Sequence, residues 1–402
     1  MTAPCPAIDE PQSQFPPTKR SAHRGDPDIA SLDIGLRRLV SCAHSTSMTP
    51  DQFQAQHPEV FLLDADDSHG IAPYLRARQL LAAGAQVTRT ARAGDGNMNS
   101  TVRVSTTEGS LILKQSRPWV EKYPQIPAPW DRIDREAEFY QLVATKPALA
   151  GMMPAIRHFD TTSRILAMDD LGTGGDCADV YRGGRFSTAE ISALASFLSD
   201  LHAVFAGSTA TQRLRNREMR QLNHAHIFAI PLATDNGLNL DSVSSGLAEA
   251  ARIVKSDGAF CREVERLGSD CYLADGPCLL HGDFFPGSIY RVAGGMKVID
   301  PEFGFFGCAE FDVGVFLAHL LLARQSESIV NQWWIEYRHS ADFDRCLVLQ
   351  LAGVEIMRRL IGYAQLPGLT ASLEEKRSLL EASRQLVLEP QTHPLHSLIL
   401  KS

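Results

Sequence analysis

The stretch His281-Gly-Asp-Phe-Phe-Pro-Gly-Ser-Ile289, followed after a glycine-containing turn by Val298-Ile-Asp-Pro-Glu302, sets three carboxylates and a hydroxyl in a short span. Transferring a phosphoryl group to a hydroxyl needs a carboxylate that orients the hydroxyl and takes its proton, and acidic groups that hold Mg2+ against the phosphates. Asp283 suits the first task, and Asp300 with Glu302 the second. Asp283 and Asp300 lie 17 residues apart, a separation that a strand-turn-strand hairpin brings back to one end. Ser288 offers a hydroxyl oxygen to the same metal shell, since hard Mg2+ prefers oxygen ligands. A lone His-Gly-Asp is an ordinary turn; joined to Asp300 and Glu302 at strand-end spacing, the combination is specific.

A nucleotide needs a second set of groups. Gly94-Asp-Gly-Asn-Met-Asn99 falls between two predicted strands, where a glycine loop folds over phosphates and donates backbone N–H groups. Its candidate contacts are Gly94, Asp95, Gly96, Asn97 and Asn99. The same residues also describe a common hairpin turn, so the loop gains weight only from Lys114 in Leu111-Ile-Leu-Lys-Gln115, one hairpin downstream. A lysine in an apolar strand needs a charge partner. ATP phosphates supply one, with Glu136 or Glu138 on the following helix as the other; Glu136 is taken into the nucleotide site. No Gly-x-x-x-x-Gly-Lys-Ser/Thr loop occurs, and no Gly-x-Gly-x-x-Gly opens a helix inside a parallel unit.

The elements that must carry these residues follow from periodicity. Helical spacing runs from Ile71 to Ala82, and Thr49-Pro50-Asp51 reads as a helix entry. Alternation then predicts strands over Val87 to Ala91, Ser100 to Ser105 and Leu111 to Gln115, with Glu108-Gly109 as a turn. A helix over Ile133 to Val143 follows, and helical patterns dominate beyond Ser187, interrupted by short strands near His281 to Ile299. The expected architecture is α+β and two-lobed. Residues 48–170 form a small antiparallel-sheet lobe that binds nucleotide, and 171–402 a mostly helical lobe for catalysis and substrate. Residues 1–47, rich in Pro, Ser and Thr, are expected to be a disordered extension.

Composition removes other classes. A net charge of -8 offers no basic field to nucleic acid. The longest apolar run, Val313 to Ala323, has eleven residues and includes His319, so it reads as a core helix and not a membrane span. The eight cysteines make no Cys-x-x-Cys pair, and no secretory signal opens the chain, which together predict a reduced, cytoplasmic protein. A homodimer is left open. Asp312 is read as accepting hydrogen bonds from the catalytic-loop backbone, and His202 as packing at a helix end behind the site.

With these residues in view, the stretches from Gly94 to Glu138 and from His281 to Arg324 resemble the methylthioribose kinases, within the wider family of aminoglycoside and choline kinases. The carriers are Gly-Asp-Gly-Asn-x-Asn, Leu-Ile-x-Lys-Gln, His-Gly-Asp-x-x-x-Gly-Ser-Ile and Ile-Asp-Pro-Glu-Phe-x-Phe-x-Gly. Ser288 stands where most of the wider family has Asn, and Asp-Pro-Glu where it has Asp-Phe/Trp-Glu. The resemblance implies a protein-kinase-like fold, ATP and Mg2+ as cofactors, Asp283 as base, Asp300 and Glu302 as metal ligands and Lys114 on phosphate. Glu355-Ile-Met-Arg-Arg-Leu-Ile-Gly362 is similar to the segment where those enzymes bind sugar through an arginine pair, here Arg358 and Arg359. Adjacent helix positions are about 100° apart, so one arginine is expected on substrate and the other in support. The chain departs from the family at Gly362-Tyr-Ala-Gln-Leu-Pro-Gly368, and Met168-Asp-Asp-Leu-Gly172 is closer to general aminoglycoside-type phosphotransferases. The implied acceptor is the 1-hydroxyl of 5-methylthioribose, in methionine salvage. The alternatives are another sugar, choline or aminoglycoside as acceptor, or a catalytically dead nucleotide-binding protein.

Overall fold

A computed structural model describes residues 49–94, 98–206, 214–366, 368–392 and 394–395. The expected extension 1–47 and the loop residues Asp95, Gly96 and Asn97 lie outside them.

The small lobe is built on a five-stranded antiparallel sheet in the order β1-β2-β3-β7-β6. Its strands are β1 (Val87–Arg92), β2 (Ser100–Thr106), β3 (Gly109–Gln115), β6 (Ile156–Asp160) and β7 (Ile165–Asp169). A short ribbon, β4 (Trp119–Val120) with β5 (Tyr123–Pro127), stands apart. Side chains alternate across the sheet. Val102, Val104, Leu113, Ile165 and Ala167 pack with Ile71, Tyr74 and Leu75 of the Ser68–Ala77 helix in one core. Leu166 and Met168 join Ile133 and Ala137 in the main core on the other face. Lys114, next to Leu113 and opposite Leu166 in the register, therefore faces the catalytic side.

The Ser68–Ala77 helix is shorter than the expected Ile71 to Ala82. Gln79 takes φ +59, and Leu80 N–H reaches back to the Leu75 carbonyl at 2.9 Å, a left-handed stop normally marked by glycine. Because Gln occupies that position, the stop carried no sequence signal. The first helix, Pro50–Gln56, starts as expected: Thr49 and Gln52 cap each other reciprocally at 2.9 and 3.2 Å.

The second lobe is mostly helical. The Glu310–Leu322 helix, buried at every position except Leu321, packs against Arg345–Ile361, which in turn packs on Leu373–Leu388. Short strands thread between the helices. β8 (Gly175–Asp176) pairs with β10 (Ile289–Val292), β10 forms a hairpin with β11 (Gly295–Val298), and β9 (Cys278–Leu280) pairs with β12 (Phe305–Gly307). The architecture is the α+β, two-lobed protein-kinase-like fold. No helix among the described residues is long and apolar enough to cross a membrane.

Candidate active site

Two short pairings carry the segments of Asp283 and Asp300. Asp283 follows β9, and Asp300 follows β11, so the β10–β11 hairpin returns the chain as the 17-residue spacing predicts. His281 joins the two segments. Its Nε2 lies 3.0 Å from the Ile299 carbonyl, an acceptor, so Nε2 carries the proton and Nδ1 accepts from the Asp283 N–H at 3.4 Å. Gly282 has φ +83, and a Cβ there would lie 2.1 Å from the Phe303 carbonyl oxygen, so no other residue fits. Buried Asp312 accepts the N–H groups of His281 at 2.7 Å and Gly282 at 3.0 Å, the role expected of it. His202, near the end of Thr188–Val204, bridges Asp312 at 3.3 Å and Tyr337 at 2.7 Å.

On the small-lobe side Lys114 is the hub. Its Nζ donates to Glu136 Oε1 at 2.9 Å and to Asp300. Glu138 turns away to Arg135 at 2.6 Å, so Glu136 is the partner of Lys114. Oxygens of Glu136, Asp300 and Glu302 all lie within 4.8 Å of one another. Burial, with Asp300 nearby, pushes the Glu302 carboxyl up to about 8. Burial likewise pushes Glu136 up to about 7 against the pull of Lys114. Burial alone would lower Lys114, but Asp300 and Glu136 outweigh it and hold the ammonium well above its usual value. Three clustered carboxylates form an all-oxygen donor set that suits a hard divalent cation such as Mg2+. Asp300 itself adopts φ +67, in the left-handed region that short polar residues tolerate.

Beyond Asp283 lies a second cluster. Arg359 Nη2 donates to Asp283 Oδ1 at 3.1 Å, and Arg358 Nη2 lies 3.5 Å from the same oxygen. Despite the offset of about 100° between adjacent helix positions, both arginines reach one carboxylate. Glu355, one helical turn earlier, draws them together, with Oε1 2.6 Å from Arg359 Nε and Oε2 3.3 Å from Arg358 Nη1. Burial would raise Glu355, but Arg358 and Arg359 hold its carboxyl well below the usual range. Behind Glu355 stands fully buried His319, whose Nε2 lies 3.1 Å from Glu355 and Nδ1 2.6 Å from the Tyr181 hydroxyl. Arg359 also covers the Phe285 ring at 4.5 Å and donates to the Ala364 carbonyl at 3.3 Å. Among the described residues Arg358 Nε has no hydrogen-bond partner, and Nη1 has its ion pair with Glu355 but no hydrogen bond.

The fold thus brings Lys114, Glu136, Asp300 and Glu302 to one point, and Asp283, Arg358 and Arg359 to another. Ser288 ends the Pro286–Ser288 turn, buried, its carbonyl accepting from Ile299 N–H at 2.9 Å. Gly94 closes β1 with φ +74. Asn99 is buried against Glu302 at 2.8 Å. Three supporting residues were absent from the sequence reading. Asn216 donates to the carbonyls of Glu302 at 2.8 Å and Gly304 at 3.0 Å, and Arg132 donates to Asn99 at 2.8 Å. Both arise from tertiary contacts that no local pattern announces. Glu355 is different, since its i+3 and i+4 spacing to the arginines was readable.

A methylthioribose kinase of Exiguobacterium sibiricum is 26% identical over 367 residues, covering 78% of this chain and 91% of that protein. One from Bacillus pumilus is 26% identical over 355 residues, covering 73% and 85%. The crystal structure of LicA in complex with AMP aligns with a TM-score of 0.48 at 13% identity, covering 80% of this chain and all of that one. The model of the phosphotransferase enzyme family matches residues 89–349, which include Lys114, Asp283 and Asp300 and end before Arg358. The match spans more than half of the 402 residues, and the chain belongs to the phosphotransferase enzyme family.

Proposed function

We propose that the chain is an ATP- and Mg2+-dependent kinase that phosphorylates the 1-hydroxyl of 5-methylthioribose. The observation that carries this reading is the pairing of two clusters: an acidic one around Lys114 that suits a cation, and Asp283 beside two arginines. Asp300 and Glu302 would hold Mg2+, with Ser288 near them, and the ion would supply charge that neutralises the phosphates. Lys114 keeps Glu136 and gives up Asp300 for phosphate oxygens. Gly94, Asp95, Gly96 and Asn97 would contact the phosphates, within a nucleotide-binding lobe spanning 48–170. In the 171–402 lobe Asp283 orients the acceptor hydroxyl and takes its proton as the phosphoryl group arrives.

The acceptor assignment draws on the similarity to methylthioribose kinases over most of the chain and on the charges around Asp283. Two guanidiniums beside the base disfavour a cationic acceptor such as choline or an aminoglycoside, whereas they donate readily to sugar hydroxyls. The test is ATP consumption by the full chain with 5-methylthioribose, choline, an aminoglycoside and other sugars offered separately. Turnover is expected with 5-methylthioribose. Turnover with another acceptor alone sinks the sugar assignment and leaves the phosphotransferase chemistry. Nucleotide binding without turnover on any acceptor sinks both.

A further inference from the structure

Arg132 is the first residue of the Arg132–Ala144 helix, where a cation opposes the helix dipole. It is fully buried, and its position is explained by what it holds. Nη1 donates to the carbonyls of Arg117 at 2.6 Å and Pro129 at 2.8 Å, and Nη2 to those of Met98 at 2.6 Å and Trp119 at 3.3 Å. That leaves Nε, which donates to Asn99 Oδ1 at 2.8 Å. A guanidinium has donors only, so the Asn99 atom facing it must be the carbonyl oxygen. The amide nitrogen then faces the other way, and it donates to Glu302 Oε2 at 2.8 Å. Both polar atoms of the Asn99 side chain are engaged, and the residue is 6% exposed.

Asn99 was expected to touch nucleotide, as part of the glycine loop. Its geometry gives it another task. We propose that Asn99 is a positioning residue for the metal ligand Glu302, aimed by Arg132, so that the end of the glycine loop and the metal carboxylate are held as one unit. The inference rests on Glu302 being a metal ligand. Asn216 fixes the Glu302 backbone through its carbonyl, and Asn99 fixes the carboxylate, so the two together leave Glu302 one orientation. The contact also joins the lobes, since Asn99 immediately precedes β2 of the small lobe and Glu302 follows β11 of the helical one. Groups of this kind, which orient a ligand without touching the ion, commonly change metal affinity by roughly ten- to a hundredfold when removed.

The test uses the full-length protein and the variants Asn99→Ala and Asn99→Leu, the second filling the space while making neither hydrogen bond. Mn2+ binding is read by electron paramagnetic resonance with saturating ADP, and ADP binding is read separately without metal. The expected result is a Mn2+ dissociation constant raised roughly tenfold or more in both variants, with metal-free ADP binding unchanged. Unchanged Mn2+ binding in both variants overturns the proposal, and a loss confined to ADP makes Asn99 a nucleotide contact instead. Equal weakening of both ligands also overturns it, because that is a loosened site. If the unaltered protein takes up no Mn2+ even with ADP present, the metal assignment of Asp300 and Glu302 fails first and the inference falls with it.

Discussion

Glu136, Asp300 and Glu302 gather around Lys114 with Arg132 behind them, while Asp283 and Glu355 gather around Arg358 and Arg359. Both clusters are largely buried, with the Asp300 side chain the exposed member, and both are built from carboxylates and cations. Their protonation differs in sign. In the first, carboxylates outnumber cations, and burial pushes Glu302 to about 8 and Glu136 to about 7. In the second, two carboxylates face two guanidiniums, and Glu355 is held well below its usual range. The first cluster gains by receiving a cation; the second is already balanced and gains nothing from added charge. An uncharged acceptor suits a balanced site, because neither cluster member has to give up an ion partner for it.

The sharpest way to break the contrast is Asp283→Asn. The arginines then face an amide, and the acceptor hydroxyl loses the group that takes its proton. Turnover is expected to fall by roughly a hundred- to ten-thousandfold with nucleotide affinity kept, measured by steady-state kinetics and nucleotide titration. Turnover near that of the unaltered protein would remove Asp283 from the base role.

The two arginines separate next. Arg359 is committed to Asp283, Glu355, the Ala364 carbonyl and the Phe285 face, whereas Arg358 lies at ion-pair distance from Asp283 and Glu355 and its Nε has no hydrogen-bond partner among the described residues. Arg358→Lys is expected to raise the sugar's KM, with kcat/KM down roughly ten- to a hundredfold, or about 1.5–3 kcal/mol, and little loss of stability. Arg359→Lys is expected to lower kcat and the unfolding midpoint together, since Lys has no planar fork to copy those contacts. Matching effects of the two changes on KM and midpoint would show that the difference in their bonding is not functional.

A third test uses pH on metal-free protein. Glu302 and Glu136 ionise at higher pH in the native state than the usual 4.5 of the unfolded chain. The native state therefore binds more protons between about 4.5 and 8, and these groups make stability fall as pH rises through that window. Glu355 acts the other way: its contribution is complete above its unfolded value near 4.5 and is lost as pH falls below it. Between about pH 5.5 and 8.5, Glu302→Gln should flatten the decline in stability by roughly 1.4 kcal/mol for each pH unit over which only the native carboxyl holds its proton. Mg2+ should restore stability most at the alkaline end. An equal slope in Glu302→Gln would show that the carboxyl is ionised throughout.

Much of this was legible in the sequence because the chemistry sits on local patterns. Lys114 stands out as a charge inside an apolar strand, and the three strands expected before the Arg132–Ala144 helix followed their alternation to within two residues, while the β4–β5 ribbon was not anticipated. Asp283 and Asp300 were paired by the hairpin spacing alone. What stayed hidden depends on long-range contact: Asn216 reaches Glu302 across 86 positions, and Asn99 reaches it across 203. The arginine pair was found as a pair, yet helix geometry argued for two faces. Long side chains leaning toward one Glu355 overrode that offset.

The smallest expected effect tests the proton arrangement behind Glu355. Because Arg358 and Arg359 keep Glu355 ionised, its oxygens only accept, so the His319 Nε2 at 3.1 Å must carry a hydrogen. Burial pushes His319 down to about 4, so the ring is neutral and its Nδ1 has a bare lone pair. The Tyr181 hydroxyl, 2.6 Å away, must then donate to Nδ1. Tyr181→Phe leaves that buried acceptor without a partner, at a cost of about 1–3 kcal/mol in unfolding free energy. Turnover should fall less than in either arginine variant, since Glu355 retains both guanidiniums and His319 Nε2–H. Nitrogen NMR of His319 in the unaltered protein should report the neutral, Nε2-protonated ring from about pH 5.5 to 8. A charged imidazolium or an Nδ1-protonated ring in that range would reverse the donor order and sink the argument.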